Sequence, residues 1–379
     1  MIHTIVSMNL AEFPNASFDS LRDVLLEQIE AGLNPGAQLS VRVGFEEVCS
    51  IAAGVARVDS GTPVTRQTVM PFFSSAKPIT AVAIGILADS GRLDFDDPVS
   101  KFIPEFSTHG KDRVTIAHLL NHTSGLADDS LADNGSDKEE VIDRLSATPL
   151  VDGWVPGERA AYLPTAGWHL LGEIVERQSG VAFDDFVQDF ILDPIGMKST
   201  IPSVDVATAN ELGEALSVMH ISRKGQSSIH PAFTPEKLGR FTRPGSGFHG
   251  TASDLSAFYA TLLNGGVSES GERVVTQETL TRLTTRSHDG ILDETFGIVM
   301  DRGLGFGISS NRHGPAVPYG YSRYASDDTF GHGGKESSTG FADPDRELSV
   351  ALIFNAMPGE PAHDRRVKQV LNKVYEALD

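Results

Sequence analysis

Residues 71–91 read PFFSSAKPITAVAIGILADSG and contain a serine and a lysine at the start of an apolar helix. Ser74 and Lys77 are three residues apart, so on a helix the lysine nitrogen can reach the serine oxygen. Pro78 places the pair in the first turn, because proline is tolerated only there or at a kink. The helix N-terminus adds free N–H groups and a positive dipole end. A serine–lysine pair in this position is one form of the nucleophile and base used in acyl transfer.

The residues after Lys77 favour that interpretation. The run 79–88 is apolar nearly all round, which predicts a buried helix with an enclosed first turn. Desolvation lowers the pKa of an enclosed lysine, and a shift from about 10.4 to about 7–8 makes it a usable base near neutrality. The alternative is an N-cap serine with an exposed lysine, since Ser-x-x-Lys occurs by chance about once in a chain this long.

Composition and charge exclude several classes of protein. The chain has 379 residues, 40% of them hydrophobic, and no run of about 18 apolar residues, so no membrane span is expected. Its first residues lack the pattern of a secretory signal, and we expect a cytoplasmic location. A net charge of −20 disfavours nucleic acid and anionic membranes as partners. Cys49, the only cysteine, is expected to be a buried strand residue; we predict no disulfide, metal or cofactor.

The pattern along the chain predicts strands at both ends and helices in the middle. A helix is expected over 18–31, a hairpin over 37–44 and 47–54, strands over 338–344 and 347–356, and a final helix over 364–378. We therefore expect one α/β lobe built from residues 1–90 and 300–379. A mainly helical lobe, 91–299, is inserted between them, with the active site at the interface.

Two further segments could complete a site around Ser74. Tyr162 lies between a turn and a helix, where its phenol could relay a proton; the alternative is a half-buried aromatic residue with a structural hydrogen bond. Gly333 and Gly334 precede Lys335, whose N–H could pair with that of Ser74 as an oxyanion hole; the alternative is an ordinary glycine turn. His332 is either a substrate contact or a neutral residue at a strand end.

Three patterns are set aside. The run 245–250, GSGFHG, matches a dinucleotide-binding pattern but follows no strand, so a nucleotide site is not expected. His118 and His122 have helical spacing without a third ligand, so zinc is not expected. The acidic stretch 127–140 is interpreted as a solvated loop that leads into a helix.

Several segments occur together in one order: Ser74-x-x-Lys77, LLNHTSGL (119–126), Pro156-Gly157, Tyr162 ahead of WHLLGEIVERQSG (168–180), DPIGMKST (193–200), TASDLSAFYATLLNGG (251–266) and FGHGG…GFADPDRELSVAL (330–352). That order resembles the serine β-lactamase-like superfamily. It is most similar to class C β-lactamases and the related family VIII carboxylesterases and transesterases. The resemblance extends from about residue 37 to about residue 355 and implies the α/β fold of that superfamily, an antiparallel sheet flanked by helices.

The resemblance also implies roles for the candidate residues. Ser74 would accept the acyl group, Lys77 and Tyr162 would share the proton transfers, and the N–H groups of Ser74 and Lys335 would bind the oxyanion. The strand 332–334 would border the substrate, which would be a small-molecule ester, thioester or amide, with an acyl acceptor or carrier as a further partner.

Two departures from the family pattern bear on the substrate. The usual Tyr-x-Asn element reads Tyr162-Leu163-Pro164, so a side-chain amide is missing, and the usual Lys-Thr-Gly strand reads His332-Gly333-Gly334, so a fixed positive charge is missing. Both favour an esterase acting on small acyl esters or lactones. The alternatives are a biosynthetic acyltransferase, a β-lactamase or D-alanyl peptidase, and a non-catalytic binding protein on the same fold.

Overall fold

The computed structural model describes residues 7–10, 18–127, 137–238, 241–288, 290–315 and 317–379. Its strands are β1 (Ser7–Leu10), β2 (Gly36–Val43), β3 (Glu46–Gly54), β4 (Met70–Pro71), β5 (His220–Arg223), β6 (Gln226–Ile229), β7 (His249–Gly250), β8 (Leu292–Asp293), β9 (Ile298–Val299), β10 (Gly307–Ile308), β11 (Phe330–Gly333), β12 (Ser338–Asp343), β13 (Leu348–Phe354) and β14 (Ala356–Met357). Within the described ranges, seven of these form one antiparallel sheet in the order β1-β3-β2-β13-β12-β11-β10.

Helices cover both faces of this sheet. They are α1 (Asp19–Glu30), α2 (Lys77–Asp89), α3 (Ile116–Leu120), α4 (Lys138–Ala147), α5 (Ala166–Ser179), α6 (Phe183–Val187), α7 (Asp193–Ile195), α8 (Val206–Leu212), α9 (Pro235–Leu238), α10 (Ala252–Leu263), α11 (Gln277–Thr284) and α12 (Glu360–Leu378). The core of one face contains residues of α1 and α12, and the core of the other contains residues of α2, α5 and α10.

The strand β13 explains why both faces are covered. Its sequence, LSVALIF, is buried along its whole length. Successive side chains of a strand point to opposite faces, so Val350 and Leu352 join the core of α1 and α12, whereas Ala351 and Ile353 join the core of α2 and α10. A strand that is buried on both faces has a nearly continuous apolar sequence, and in this sheet helices cover both faces of β13.

The predicted α/β fold with an antiparallel sheet is confirmed. The hairpin of β2 and β3, the strands β12 and β13, and the helix α1 are found where the pattern places them. The last helix begins at Glu360 rather than Asp364, with Pro361 in its first turn. The strand β1, which the pattern did not predict, pairs with β3.

The described residues do not test the predicted acidic loop completely, nor the predicted division into two lobes. Residues 128–136 of the acidic stretch lie outside the described residues, and α4 follows them. The division into two lobes stays a prediction. In the part of the chain that the structure describes, no helix combines the length and apolar composition needed to cross a bilayer.

The helix α5 buries a histidine whose charge state links the fold to pH. His169 is 4% exposed, and burial first, then the nearby charges of Arg243 and Lys77, lower its pKa to about 3. The folded-state pKa is below the unfolded value of about 6.5, so the unfolded chain binds the proton first and stability is lost as pH falls below about 6.5.

We predict that the free energy of unfolding falls between pH 7 and pH 5 by about 2 kcal/mol more in the parent than in His169→Gln. Urea denaturation at the two pH values measures this difference. His109→Asn, at an exposed position, is the control and keeps the parental dependence. An equal pH dependence in parent and His169→Gln contradicts the assignment.

Candidate active site

Ser74 lies in a turn of 3₁₀ helix, Phe73–Ala76, that leads directly into α2. The prediction that the helical segment begins close to Ser74 is confirmed, but its first turn is not α-helical. Pro78 lacks the N–H that would bond to the Ser74 carbonyl in an α-helix, and the Lys77 N–H takes that carbonyl instead in the tighter 3₁₀ pattern. Phe73 enters the turn at φ +48°, a conformation uncommon for a residue with a side chain.

The Lys77 side chain is completely buried behind Ser74. Its Nζ donates hydrogen bonds to Ser74 Oγ at 2.9 Å, to the Pro164 carbonyl at 2.7 Å and to the Gly245 carbonyl at 3.0 Å. It also lies 4.9 Å from the centre of the Trp168 ring. The expected enclosure of Lys77 is therefore confirmed, and the alternative of an exposed first-turn lysine is wrong.

The Tyr162 hydroxyl reaches the same serine, since it donates to Ser74 Oγ at 2.9 Å. One neighbouring segment holds the Tyr162 backbone on both sides: the Tyr162 N–H donates to Asp293 Oδ1 at 3.2 Å, and the Tyr162 carbonyl accepts from Thr295 Oγ1 at 3.0 Å. The His122 ring packs on the phenol with 4.6 Å between ring centres. An amine and a phenol thus converge on one buried hydroxyl, the arrangement that proton transfer to and from a nucleophile requires.

Hydrogen bonds join the strands β11 and β12 to the Ser74 turn. Ser75 Oγ donates to the His332 carbonyl at 3.0 Å and lies 2.9 Å from Ser338 Oγ, which donates to the Phe72 carbonyl at 2.5 Å. Gly334 packs so closely on this turn that an added Cβ would lie 2.4 Å from the Phe72 oxygen. The segment that leads to Lys335 is thereby held beside Ser74.

Both histidines near Tyr162 are neutral at physiological pH. Burial is the largest cause of the strongly lowered pKa of His122 and of His332, and the charges of Arg302 and Lys77 lower both values further. His332 Nδ1 is 2.7 Å from the Gly333 carbonyl oxygen, and His122 Nδ1 accepts the Leu163 N–H at 3.3 Å. Burial favours the neutral form of His332, and because its ring also lines the cavity, its contact with a substrate stays a prediction.

A cavity of about 240 Å³ opens beside Ser74. Of the residues predicted for the site, it is lined by Ser74, Tyr162, His332, Gly333 and Lys335. Its apolar wall consists of Phe296, Met300, Ile308, Val317, Tyr319 and Tyr321. Lys77 is buried behind Ser74, and Gly334, which directly follows β11, packs against Phe72 and Ser338. The sequence therefore located residues that share one cavity, although their catalytic roles stay predictions.

Comparison with known proteins agrees with this geometry. The sequence matches the Beta-lactamase family over residues 22–374. The chain belongs to the beta-lactamase family. It is a serine hydrolase of that family, and the resemblance drawn from its motifs is confirmed, while the narrower class C assignment stays a prediction.

The relatives of this chain include proteins named as penicillin-binding proteins and as esterases. Penicillin-binding protein 4 of Amycolatopsis lactamdurans is 30% identical over 244 residues, which cover 64% of this chain and 62% of that protein. Esterase EstB of Burkholderia gladioli is 28% identical over 349 residues, which cover 80% of this chain and 81% of that protein. A solved penicillin-binding protein homologue from Caulobacter crescentus has the same fold, with a TM-score of 0.80 at 24% identity over 98% of this chain and 100% of that one.

Several residues of the site were not predicted from the sequence of this beta-lactamase family member. Among them are Pro164 and Gly245, whose carbonyls accept from Lys77, and Asp293 and Arg302, which form a buried ion pair beside Tyr162. Only Arg302 has a sequence signal: it lies inside the largely apolar run 298–308, where a charged residue is expected to be buried and paired. Asp293 lies outside that run.

The patterns that were set aside have other positions. The run 245–250 contains β7, which pairs with β4, and its first residue contacts Lys77 through the backbone. His118 caps α3 through its Nδ1 and lines a separate cavity of about 520 Å³, whereas His122 packs against Tyr162. The two imidazoles therefore serve different parts of the molecule.

We predict that Gly334→Ala lowers kcat/KM of this family member for an ester by about a hundredfold. The added Cβ would lie 2.2 Å from Ser338 Oγ and 2.4 Å from the Phe72 oxygen, so β11 must separate from the Ser74 turn. Steady-state kinetics with a chromogenic ester measure the loss. Gly167→Ala is the control, because the added Cβ makes only ordinary contacts of 3.6–3.7 Å. Parental activity in Gly334→Ala contradicts the close approach.

Proposed function

We propose that this chain is a serine esterase that acts on small acyl esters or lactones through an acyl-enzyme on Ser74. The observation that carries the proposal is the convergence of Lys77 Nζ and Tyr162 Oη on Ser74 Oγ, each at 2.9 Å, at the wall of a largely apolar cavity. A base within hydrogen-bond reach of a serine hydroxyl is the geometric requirement for nucleophilic attack on a carbonyl.

The reaction follows from these contacts. Ser74 Oγ attacks the carbonyl carbon while its proton passes to the Lys77 and Tyr162 pair. The N–H groups of Ser74 and Lys335 stabilise the oxyanion of the tetrahedral intermediate. Collapse of the intermediate breaks the ester bond, the leaving alkoxide takes the proton, and the acyl group stays on Ser74. Water then repeats the sequence and releases the acid.

The charges around the cavity favour a neutral substrate. Lys335 and Glu360 both line it and have opposite charges. Asp301 also lines it, but Arg286, Arg312 and His313 hold that carboxylate, and its pKa is lowered to about 2 although burial opposes the shift. The neutral His332 on β11 adds no charge that would attract the carboxylate of a β-lactam or peptide.

Similarity to a protein named as an esterase supports esterase activity, and similarity to proteins named as peptidases makes peptide hydrolysis a second candidate reaction. Esterase EstB matches over more of this chain than Penicillin-binding protein 4, although the latter is slightly more similar where it aligns. A Putative D-alanyl-D-alanine carboxypeptidase of Escherichia coli (strain K12) is 26% identical over 89% of this chain. Peptidase or β-lactamase activity is therefore the alternative to test beside ester hydrolysis. The cytoplasmic location stays a prediction.

Acyl transfer shares the first half of this mechanism. An alcohol or amine that replaces water in the second step would turn the esterase into an acyltransferase, with no change in the residues that form the acyl-enzyme. Product analysis in the presence of candidate acceptors separates the two reactions. Transfer is excluded for the acceptors tested if none of them competes with water for the acyl group.

We predict that Ser74→Ala reduces hydrolysis of a butyrate ester at least about a thousandfold, because the nucleophile is lost. Ser90→Ala, at the exposed end of α2, is the matched control and keeps parental activity. A fluorophosphonate should form an adduct on Ser74 in the parent and in the control but not in Ser74→Ala.

Circular dichroism and thermal denaturation establish that the Ser74→Ala protein is folded. Near-parental hydrolysis by folded Ser74→Ala disproves the mechanism. Absence of any Ser74 adduct in the folded parent favours instead a binding protein on this fold.

A further inference from the structure

The buried ion pair of Asp293 and Arg302 lies directly against Tyr162. Arg302 Nη2 donates to Asp293 Oδ2 at 2.9 Å, and the two residues are 4% and 1% exposed. Asp293 is the last residue of β8 and Arg302 comes three residues after β9, so the pair links the first strand of one small hairpin to the segment that follows its second strand. Burying two charges is costly, so a pair in this position calls for an explanation.

The two partners contact different parts of the tyrosine. Asp293 Oδ1 accepts the backbone N–H of Tyr162 at 3.2 Å, together with those of Thr295 and Phe296 at 3.0 and 3.3 Å. The Arg302 guanidinium instead lies 5.2 Å from the centre of the Tyr162 ring. The negative end of the pair is thus held at the tyrosine backbone, and the positive end faces the ring.

We propose that Arg302, oriented by Asp293, is a positioning residue that supplies a fixed positive charge to the Tyr162 ring and favours the phenolate that takes the Ser74 proton. This inference rests on the proposed function, in which Tyr162 shares the proton transfers with Lys77. It concerns the residues that tune that tyrosine, which no motif of the chain identifies.

The titratable and charged groups around the phenol support this role. Among the described residues these groups are Lys77, His122, Asp293, Arg302, Tyr319 and His332. Asp293 and Arg302 belong to the hairpin of β8 and β9, and the other four come from separate segments. Both imidazoles are neutral, as described above. Within this described set the cations that face the ring are therefore Lys77, at 5.6 Å from its centre, and Arg302. A cation within about 6 Å of an aromatic ring is attracted to it, and more strongly when the ring bears a negative charge.

The proton transfer balances without any other reactant. The phenolate oxygen accepts the proton of Ser74 Oγ as the serine oxygen bonds to the carbonyl carbon. The resulting phenol returns that proton to the leaving alkoxide when the ester bond breaks. Arg302 keeps its own protons throughout, because a guanidinium is not deprotonated in proteins, and so acts only through its charge and position.

The pH dependence of kcat/KM distinguishes this role from simple support of the fold. Its acidic limb reports the ionisation of the essential base in the free enzyme, here the coupled Lys77 and Tyr162 pair. Removing the positive charge with Arg302→Gln should move that limb to higher pH by about one unit, because the base then binds its proton more tightly. Asp293→Asn removes the negative charge and should move it to lower pH.

Two further variants protect the test against loss of folding. Arg302→Lys keeps the charge and should leave the limb near its parental position even if kcat falls. The double variant Arg302→Gln with Asp293→Asn buries no unpaired charge and should shift the limb to higher pH, by less than Arg302→Gln alone. The proposal is supported if the acidic limb moves in opposite directions in the two single variants. It is also supported if the limb of the double variant moves to higher pH while that of Arg302→Lys stays near its parental position.

An unmoved acidic limb in all folded variants overturns the proposal, whatever happens to kcat. Fluorophosphonate labelling of Ser74 in the same preparations separates this failure from failure of the proposed function. A labelled serine with an unmoved limb refutes the role of Arg302 alone. If the parent itself is not labelled, or if Ser74→Ala remains active, the esterase mechanism fails and the inference fails with it.

Discussion

The buried Lys77 side chain is the group around which the site is built. Removing its amine from water is costly unless polar atoms replace the hydrogen bonds lost with the solvent. In this chain they come from three segments that are distant in sequence: the Ser74 hydroxyl, the Pro164 carbonyl and the Gly245 carbonyl. Two of them are backbone atoms, so the requirement constrains the path of the chain. A fold that supplies these hydrogen bonds to Lys77 therefore also brings the Tyr162 segment and the loop before α10 close to Ser74.

Ser74 directly follows a residue in a strained conformation, Phe73, which the surroundings hold in place. A non-glycine residue at φ +48°, such as Phe73, costs about 1–3 kcal/mol and persists only where other contacts favour it. Phe73 packs with Met219 and Met357 and meets the Phe233 ring edge-on at 5.0 Å. Ser75 adds hydrogen bonds to β11 and β12. The strain is thus balanced by apolar packing on one side and polar contacts on the other, and Ser74 is positioned before any substrate arrives.

Sequence reasoning located the residues with a strong local pattern and missed those that act through distant contacts. Ser74 and Lys77 were found because helical spacing predicts their proximity, and β13 because a buried strand has a continuous apolar run. Gly245 could not be found, since it contributes a backbone carbonyl that any residue possesses. Asp293 ends β8 and Arg302 follows β9 by three residues, and both strands have only two residues, too short to give a periodic signal. Their pairing depends on the hairpin that joins them, which local sequence does not specify.

The distribution of charge explains how an acidic protein can offer a neutral site. The chain has a net charge of −20, yet the acidic groups at the cavity lie beside cations: Asp293 contacts Arg302, Asp301 contacts Arg286 and Arg312, and Glu360 lies near Lys335. Opposite charges held this close cancel at the distance of a substrate, and salt screens the remaining surface charge beyond about 8–10 Å. The cavity beside Ser74 therefore presents a mostly apolar wall, and the charged groups described there lie beside opposite charges. This balance is the reason for proposing a neutral substrate rather than one that carries a net charge.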